Sequence, residues 1–148
     1  MSEQASILES LRGASLFEGI SESALEAISG ITLRRNYEEG DSIYELGDDA
    51  AEVYVVESGR VRFSLGVGNR AGVSGSIITK GQIFGWAALL DDQPRRVATA
   101  SCLENSTVLV IDGRQLLEAF ESNTDAGYLV MRRLAAMIAA NFMEVLTN

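Results

Sequence analysis

Gly81-Gln82-Ile83-Phe84-Gly85-Trp86-Ala87-Ala88-Leu89-Leu90-Asp91-Asp92-Gln93-Pro94-Arg95-Arg96-Val97-Ala98-Thr99-Ala100 interrupts an otherwise strand-like sequence. It holds a pivotal glycine, a short apolar helical stretch, the single proline, two adjacent arginines and a run of small residues. Gly85 lets the backbone turn sharply. Trp86 to Leu90 is predicted to form one helical turn, whose first N–H groups have no partner within the turn. An arginine beside it adds a fixed positive charge with forked donors suited to phosphate. Arg95 and Arg96 on one strand face opposite ways, so only one of them looks into a pocket. The residues therefore describe an anion cradle, or, more plainly, a basic turn on the surface of an acidic protein.

On either side of this stretch the period is that of strands. Ile31, Leu33, Arg35 and Tyr37 alternate with polar neighbours. Short runs follow at Ser42–Glu45, Glu52–Glu57, Arg60–Leu65, Ser76–Thr79, Arg96–Ser101 and Thr107–Ile111. They are punctuated by Gly40-Asp41, Gly47-Asp48, Ser58-Gly59 and Lys80-Gly81. Gly66 to Gly75 reads as a hairpin loop. Many short strands with glycine turns predict a barrel or two-sheet roll rather than a parallel sheet.

Both ends are helical. Ser2 to Arg12 places Ile7, Leu8 and Leu11 on one face, and Ser21 caps a second helix that Gly30 closes. Asp112 caps a short helix with Gln115 in capping-box position. Thr124 opens a longer helix reaching Leu146. Its residues Tyr128, Met131, Ala135, Ile138, Phe142 and Val145 step by 3, 4, 3, 4, 3, a heptad seam. Val130, Leu134 and Met137 form a second stripe. One face suits the core and the other a twin helix.

Composition limits the chemistry. The 148 residues carry a net charge of −9, no histidine and one cysteine, Cys102. Ser-His-Asp and Cys-His nucleophiles are excluded, as are an internal disulfide and a structural zinc site. The acidic balance argues against nucleic acid as a direct partner. No stretch reaches the ~20 apolar residues of a membrane helix. The first residues lack a basic n-region, so a secretory signal is not expected and a cytoplasmic location is. Asp91-Asp92 reads as loop-solvating and Cys102 as a small buried hydrophobe, so no enzyme activity is expected.

Five motifs share order and spacing with one known family. They are Leu16-Phe17-Glu18-Gly19-Ile20-Ser21, Gly40-Asp41-Ser42-Ile43-Tyr44-Glu45-Leu46-Gly47-Asp48, Val53-Tyr54-Val55-Val56-Glu57-Ser58-Gly59-Arg60-Val61, Gly81-Gln82-Ile83-Phe84-Gly85 and Arg96-Val97-Ala98-Thr99. The chain resembles the cyclic-nucleotide-binding domain of the catabolite-activator and protein-kinase-regulatory-subunit superfamily. The resemblance implies a mainly β fold, a β-roll with flanking helices, in one domain spanning 1–148. Its helical entry would be 1–30, its roll 31–112 and its C-terminal helices 113–146. It implies that 81–99 is a phosphate-binding cassette, with Gly85, Trp86, Ala87, Ala88, Arg95, Arg96, Val97 and Ala98 as ligand-binding residues. Arg96 is the expected phosphate partner and Arg95 the fallback if the loop shifts register. The amides of Ala87 and Ala88 stand where the family meets the cyclic phosphate. One position departs: Trp86 replaces the glutamate that accepts the ribose hydroxyl, and indole offers no acceptor.

The expected function is a non-catalytic sensing module. It would bind a cyclic nucleotide such as cyclic AMP, or another small anion, and signal through the last helix, with Phe142, Met137 or Asn141 against a base. A homodimer through Ala126–Leu146 is expected. The alternative is a degenerate domain without a nucleotide, in which Trp86 plugs the core, Arg96 pairs with a carboxylate and the chain serves as a dimerisation or partner-binding module. Transcription regulation through direct DNA contact is not expected, since no helix-turn-helix follows the long helix before Asn148.

Overall fold

The computed structural model describes residues 2–64, 75–90 and 92–147, with side chains up to 143. Two helices open the chain, α1 (Glu3–Arg12) and α2 (Glu22–Ser29), separated by a 3-10 turn at Ser15–Phe17. Both start on serine caps: Ser2 accepts from the Ala5 N–H and Ser21 from the Ala24 N–H. Among the described residues eight strands follow: β1 (Thr32–Tyr37), β2 (Ser42–Tyr44), β3 (Glu52–Ser58), β4 (Val61–Ser64), β5 (Gly75–Ile78), β6 (Ile83–Phe84), β7 (Thr99–Cys102) and β8 (Ser106–Asp112). A further 3-10 turn, Trp86–Leu89, lies between β6 and β7, and α3 (Gly113–Ser122) and α4 (Thr124–Thr147) follow.

The strands form two four-stranded antiparallel sheets, ordered β1-β8-β3-β6 and β2-β7-β4-β5. This is the two-sheet roll of the two alternatives the glycine-punctuated pattern leaves open, and the mainly β roll with flanking helices that the family resemblance implies. The predicted loop at 66–75 lies outside the described residues except for Gly75, which begins β5. The predicted strand Arg96–Ser101 begins only at Thr99. Residues ahead of it bond to a loop instead: the Arg96 N–H donates to the Asp48 carbonyl at 2.7 Å and its carbonyl accepts from the Gly47 N–H at 2.9 Å.

Turn chemistry fixes the connections. At Glu45–Asp48 the Gly47 φ is +92°, and the Asp48 carboxylate accepts from the Glu45 N–H at 2.9 Å. The same arrangement recurs at Glu38–Asp41 and, with a glutamine, at Thr79–Gln82.

β3 and β8 are apolar without alternation because both their faces are buried. Tyr54, Val56, Val108 and Val110 point into the roll against Val61, Phe84 and Ala100. Val53, Val55, Leu109 and Ile111 point the other way, packing with Leu11, Phe17, Ile28, Leu116 and Leu134 of the helical layer. β1 is an edge strand, and its charges protect that edge. Its Arg34 forks onto Glu57 of β3 at 2.7 and 2.8 Å, while Ser6 and Ser10 of α1 join from above. This network ties α1 to the sheet, and the paired guanidinium holds the Glu57 carboxyl below its ordinary range.

α4 divides as its two stripes predict. Ala126, Val130 and Leu134 are buried in the core, while Tyr128, Ala135 and Phe142 of the heptad seam are exposed. Met131 and Ile138 lie half-buried between them.

Candidate functional site

The site is built at Gly85. Its φ is +78°, the left-handed conformation that glycine adopts without strain. A Cβ there would also stand 2.7 Å from the Tyr54 ring and 3.1 Å from Arg96 Nη1, so the position is closed to side chains on two counts. The turn Trp86–Leu89 that follows is the predicted helical turn. Ala87 and Ala88 are buried in it, against the start of α3: a Cβ at Gly113 would touch Ala88 at 3.0 Å. The Ala88 N–H donates to the Gly85 carbonyl at 3.4 Å, so one of the two amides expected to face a phosphate is engaged, weakly, within the turn.

The two arginines separate as alternation requires. Arg95 is exposed and pairs with Asp49 at 3.0 Å. Val97 is 43% exposed. Arg96 and Ala98 turn inward, at 4% and 0% exposure. Arg96 Nη1 donates to the Gly85 carbonyl at 3.0 Å, and Nη2 donates to the Glu52 carbonyl at 2.8 Å. Its guanidinium lies 4.1 Å from the centre of the Tyr44 ring and 5.5 Å from that of Tyr54. Tyr54 in turn stacks on Phe84 at 4.9 Å. Burial pushes the Tyr44 hydroxyl up to about 12, with the Arg96 charge and the Gly85 backbone pulling the other way. Burial and the neighbouring Glu52 carboxylate raise that of Tyr54. Among the described residues no carboxylate lies within ion-pair distance of Arg96, and its Nε is buried without a hydrogen-bond partner. The expectation of a carboxylate partner for Arg96 is therefore corrected. It clamps two backbone carbonyls inside an aromatic cage.

Trp86 is 9% exposed, and its ring packs on Phe63 at 6.3 Å between centroids. Both rings line a cavity of about 740 Å³, walled by Phe63, Phe84 and Trp86 from the roll and by Arg133, Met137 and Asn141 from α4. That volume is within the range of small-molecule sites. Arg96 is not among the residues lining it. Of the three α4 residues predicted against a base, Met137 and Asn141 line the cavity and Phe142 is exposed to solvent. Tyr44, Tyr54, Phe63 and Arg133 were not singled out by the sequence reading. Arg133 alone carried a signal: a charge on the flank of the Val130–Leu134–Met137 stripe.

The Cyclic nucleotide-binding domain family profile matches residues 34–123, the roll with its cassette and α3. The chain belongs to that family. It is 26% identical over 139 residues to a Cyclic AMP receptor protein of Thermus thermophilus, covering 93% of this chain and 58% of that protein. It is 30% identical over 113 residues to a cGMP-dependent protein kinase of Toxoplasma gondii, covering 76% of this chain and 11% of the kinase. The chain thus spans under two thirds of either relative's length. Among solved structures, the Thermus thermophilus Catabolite Activator Protein superposes with a TM-score of 0.71 at 28% identity, over 88% of this chain and 59% of that one. The sensor domain of the transcriptional regulator DNR from Pseudomonas aeruginosa shares the fold. Its TM-score is 0.79 at 20% identity, covering 97% and 96% of the two chains. No described helix is long and apolar enough to cross a membrane.

Proposed function

We propose that this chain is a non-catalytic sensing module that takes a cyclic nucleotide, or another small anion of similar shape, beside the cassette 81–99 and signals through α4. One observation carries the reading. The 740 Å³ cavity is walled on one side by cassette residues and on the other by α4, so an occupant touches both. A ligand that prefers one placement of α4 then shifts the population toward it. Family membership supports a cyclic nucleotide as the first ligand to try. Trp86 argues for weaker binding than a glutamate would give, since a charged hydrogen bond contributes about 1.5–3 kcal/mol. The exposed seam of α4, with Tyr128 at 69% and Phe142 at 62%, supports pairing of two copies along that helix.

The chain has one tryptophan, and it forms the cavity wall. Its fluorescence therefore reports occupancy directly. Titration with cyclic AMP and cyclic GMP is expected to give a saturable change in emission. Ligand at a hundred times its dissociation constant should add about 2.7 kcal/mol of stability in a parallel thermal melt. Trp86→Glu is expected to raise cyclic AMP affinity, read by the melt alone. Flat emission and an unmoved melting temperature at millimolar nucleotide would reject the sensing reading in favour of the dimerisation module.

A further inference from the structure

The cavity beside Trp86 has a cation of its own, and it is not the arginine of the cassette. Arg133 reaches it from α4. This protein carries 21 carboxylates on 148 residues, yet among the described residues no Asp or Glu lines the cavity. Arg133 Nη1 donates to the carbonyls of Leu16 (3.2 Å) and Glu18, at the end of the first 3-10 turn. Both bonds use the same nitrogen. Among the described residues, Nε and Nη2 make no further hydrogen bond, and no carboxylate lies within ion-pair distance. A guanidinium is a permanent cation with five donors in a planar fork, so this one, on a side chain that lines the cavity, keeps its charge and donors not engaged by the described residues. Gln82 and Asn141 add amides nearby. Phe63, Phe84 and Trp86 give the same cavity a flat, apolar lining. Arg96 is buried and does not line this cavity; its Nη1 and Nη2 donate to the Gly85 and Glu52 carbonyls.

We propose that Arg133 is the anion-recognising residue of this cavity, and that the ligand class it selects is a planar aromatic ring bearing an acid group, phosphate or carboxylate. The ring lies against Trp86 and Phe63, and the acid meets the guanidinium of Arg133. Each part of the ligand answers one wall. The ring removes apolar surface from water. The acid forms a charge-assisted, forked pair in a partly enclosed site. The inference rests on the sensing reading above and names the residue and ligand class of that site.

The test compares cyclic AMP with adenosine, which has the same base and sugar without the charge, by Trp86 emission in the full chain. Wild type is expected to bind cyclic AMP at least tenfold tighter than adenosine. Arg133→Gln keeps a donor for the Leu16 and Glu18 carbonyls and removes the charge. It is expected to lower cyclic AMP affinity to the adenosine level and leave adenosine within twofold. Circular dichroism and melting establish that the variant is folded. If it is not, the Nε–H resonance of Arg133 in nitrogen-15-labelled wild type replaces it, expected to move with cyclic AMP and stay fixed with adenosine. Wild-type binding that survives Arg133→Gln within twofold, or an Arg133 resonance unmoved by bound cyclic AMP, overturns the role of Arg133 while leaving the sensing reading intact. Equal affinity of wild type for cyclic AMP and adenosine overturns the ligand class. No response to either compound removes both.

Discussion

Replacing Arg96 with methionine separates a clamp from a waiting ligand group. The substitution keeps most of the apolar stem and removes the guanidinium, so little cavity is left behind. Two hydrogen bonds from a charged donor disappear, to Gly85 and Glu52 at 3.0 and 2.8 Å, each contributing about 1.5–3 kcal/mol. Stacking on Tyr44 at 4.1 Å adds up to about 2 kcal/mol in a desolvated setting. Against these losses stands the cost of keeping a charge with 4% exposure and an unpaired Nε, several kcal/mol that the methionine does not incur. The losses also leave two carbonyls without their donors, so the balance falls on destabilisation, by about 3 kcal/mol. For a chain of this length that is a fall of roughly 6–12 °C in melting temperature. Calorimetry with urea denaturation measures both quantities on the apo protein. A change within about 0.5 kcal/mol, the scale of a surface substitution, refutes the clamp. A gain in stability refutes it more sharply. Burial would then outweigh the bonds, and the guanidinium would be held in the roll against the interest of the fold, as a ligand group is.

The Glu57 carboxyl is held below its usual range by Arg34, first through their hydrogen bonds, so its contribution is complete above the unfolded value of about 4.3 and disappears as pH falls through the folded value. Wild type is therefore expected to lose more stability between pH 6 and pH 3 than Glu57→Gln, which is itself about 1–2 kcal/mol less stable at pH 7, with urea midpoints at each pH as the measure; parallel losses in the two proteins would refute the role of the pair. Phe142→Glu, at a position 62% exposed, is expected to turn a dimer into a monomer in sedimentation velocity while leaving far-UV dichroism unchanged. A monomeric wild type at tens of micromolar, or a dimeric variant, would refute pairing along α4.

The parts of the fold that were legible in the sequence are those set by local chemistry. Serine and aspartate caps marked the starts of α2 and α3, and the bonds of Ser21 and Asp112 to N–H groups three residues on explain why. Glycine turns marked the strand breaks because each needs a positive φ, which only the local residue type decides. What escaped was either too short or too distant. β6 has two residues, below any readable period. The late start of β7 depends on Gly47 and Asp48, some fifty residues earlier in the chain. The aromatic cage joins Tyr44, Tyr54 and Phe84 from three strands, and no pattern within one segment announces it.

The split between the two arginine environments explains why the cassette was half legible. Adjacent arginines on extended backbone must diverge, so the sequence predicts that one is buried without saying what receives it. The receiver is Gly85 itself. Its carbonyl takes Arg96 Nη1, and its missing Cβ leaves room for both Arg96 and Tyr54. Gly85 and Arg96 thus act as one unit: the glycine shapes the turn, and the arginine holds that shape from behind. Trp86, the next residue, is thereby fixed with its indole beside Phe63, where both line the cavity that α4 closes. In this arrangement the cassette presents an aromatic wall to the cavity, and in the proposed sensor the complementary charge comes from Arg133 on α4, the helix whose position a bound ligand would bias. A cation carried by α4 couples recognition to that motion more directly than one fixed in the roll. Any affinity gained through Arg133 depends on where α4 stands, which is the differential interaction a sensor requires.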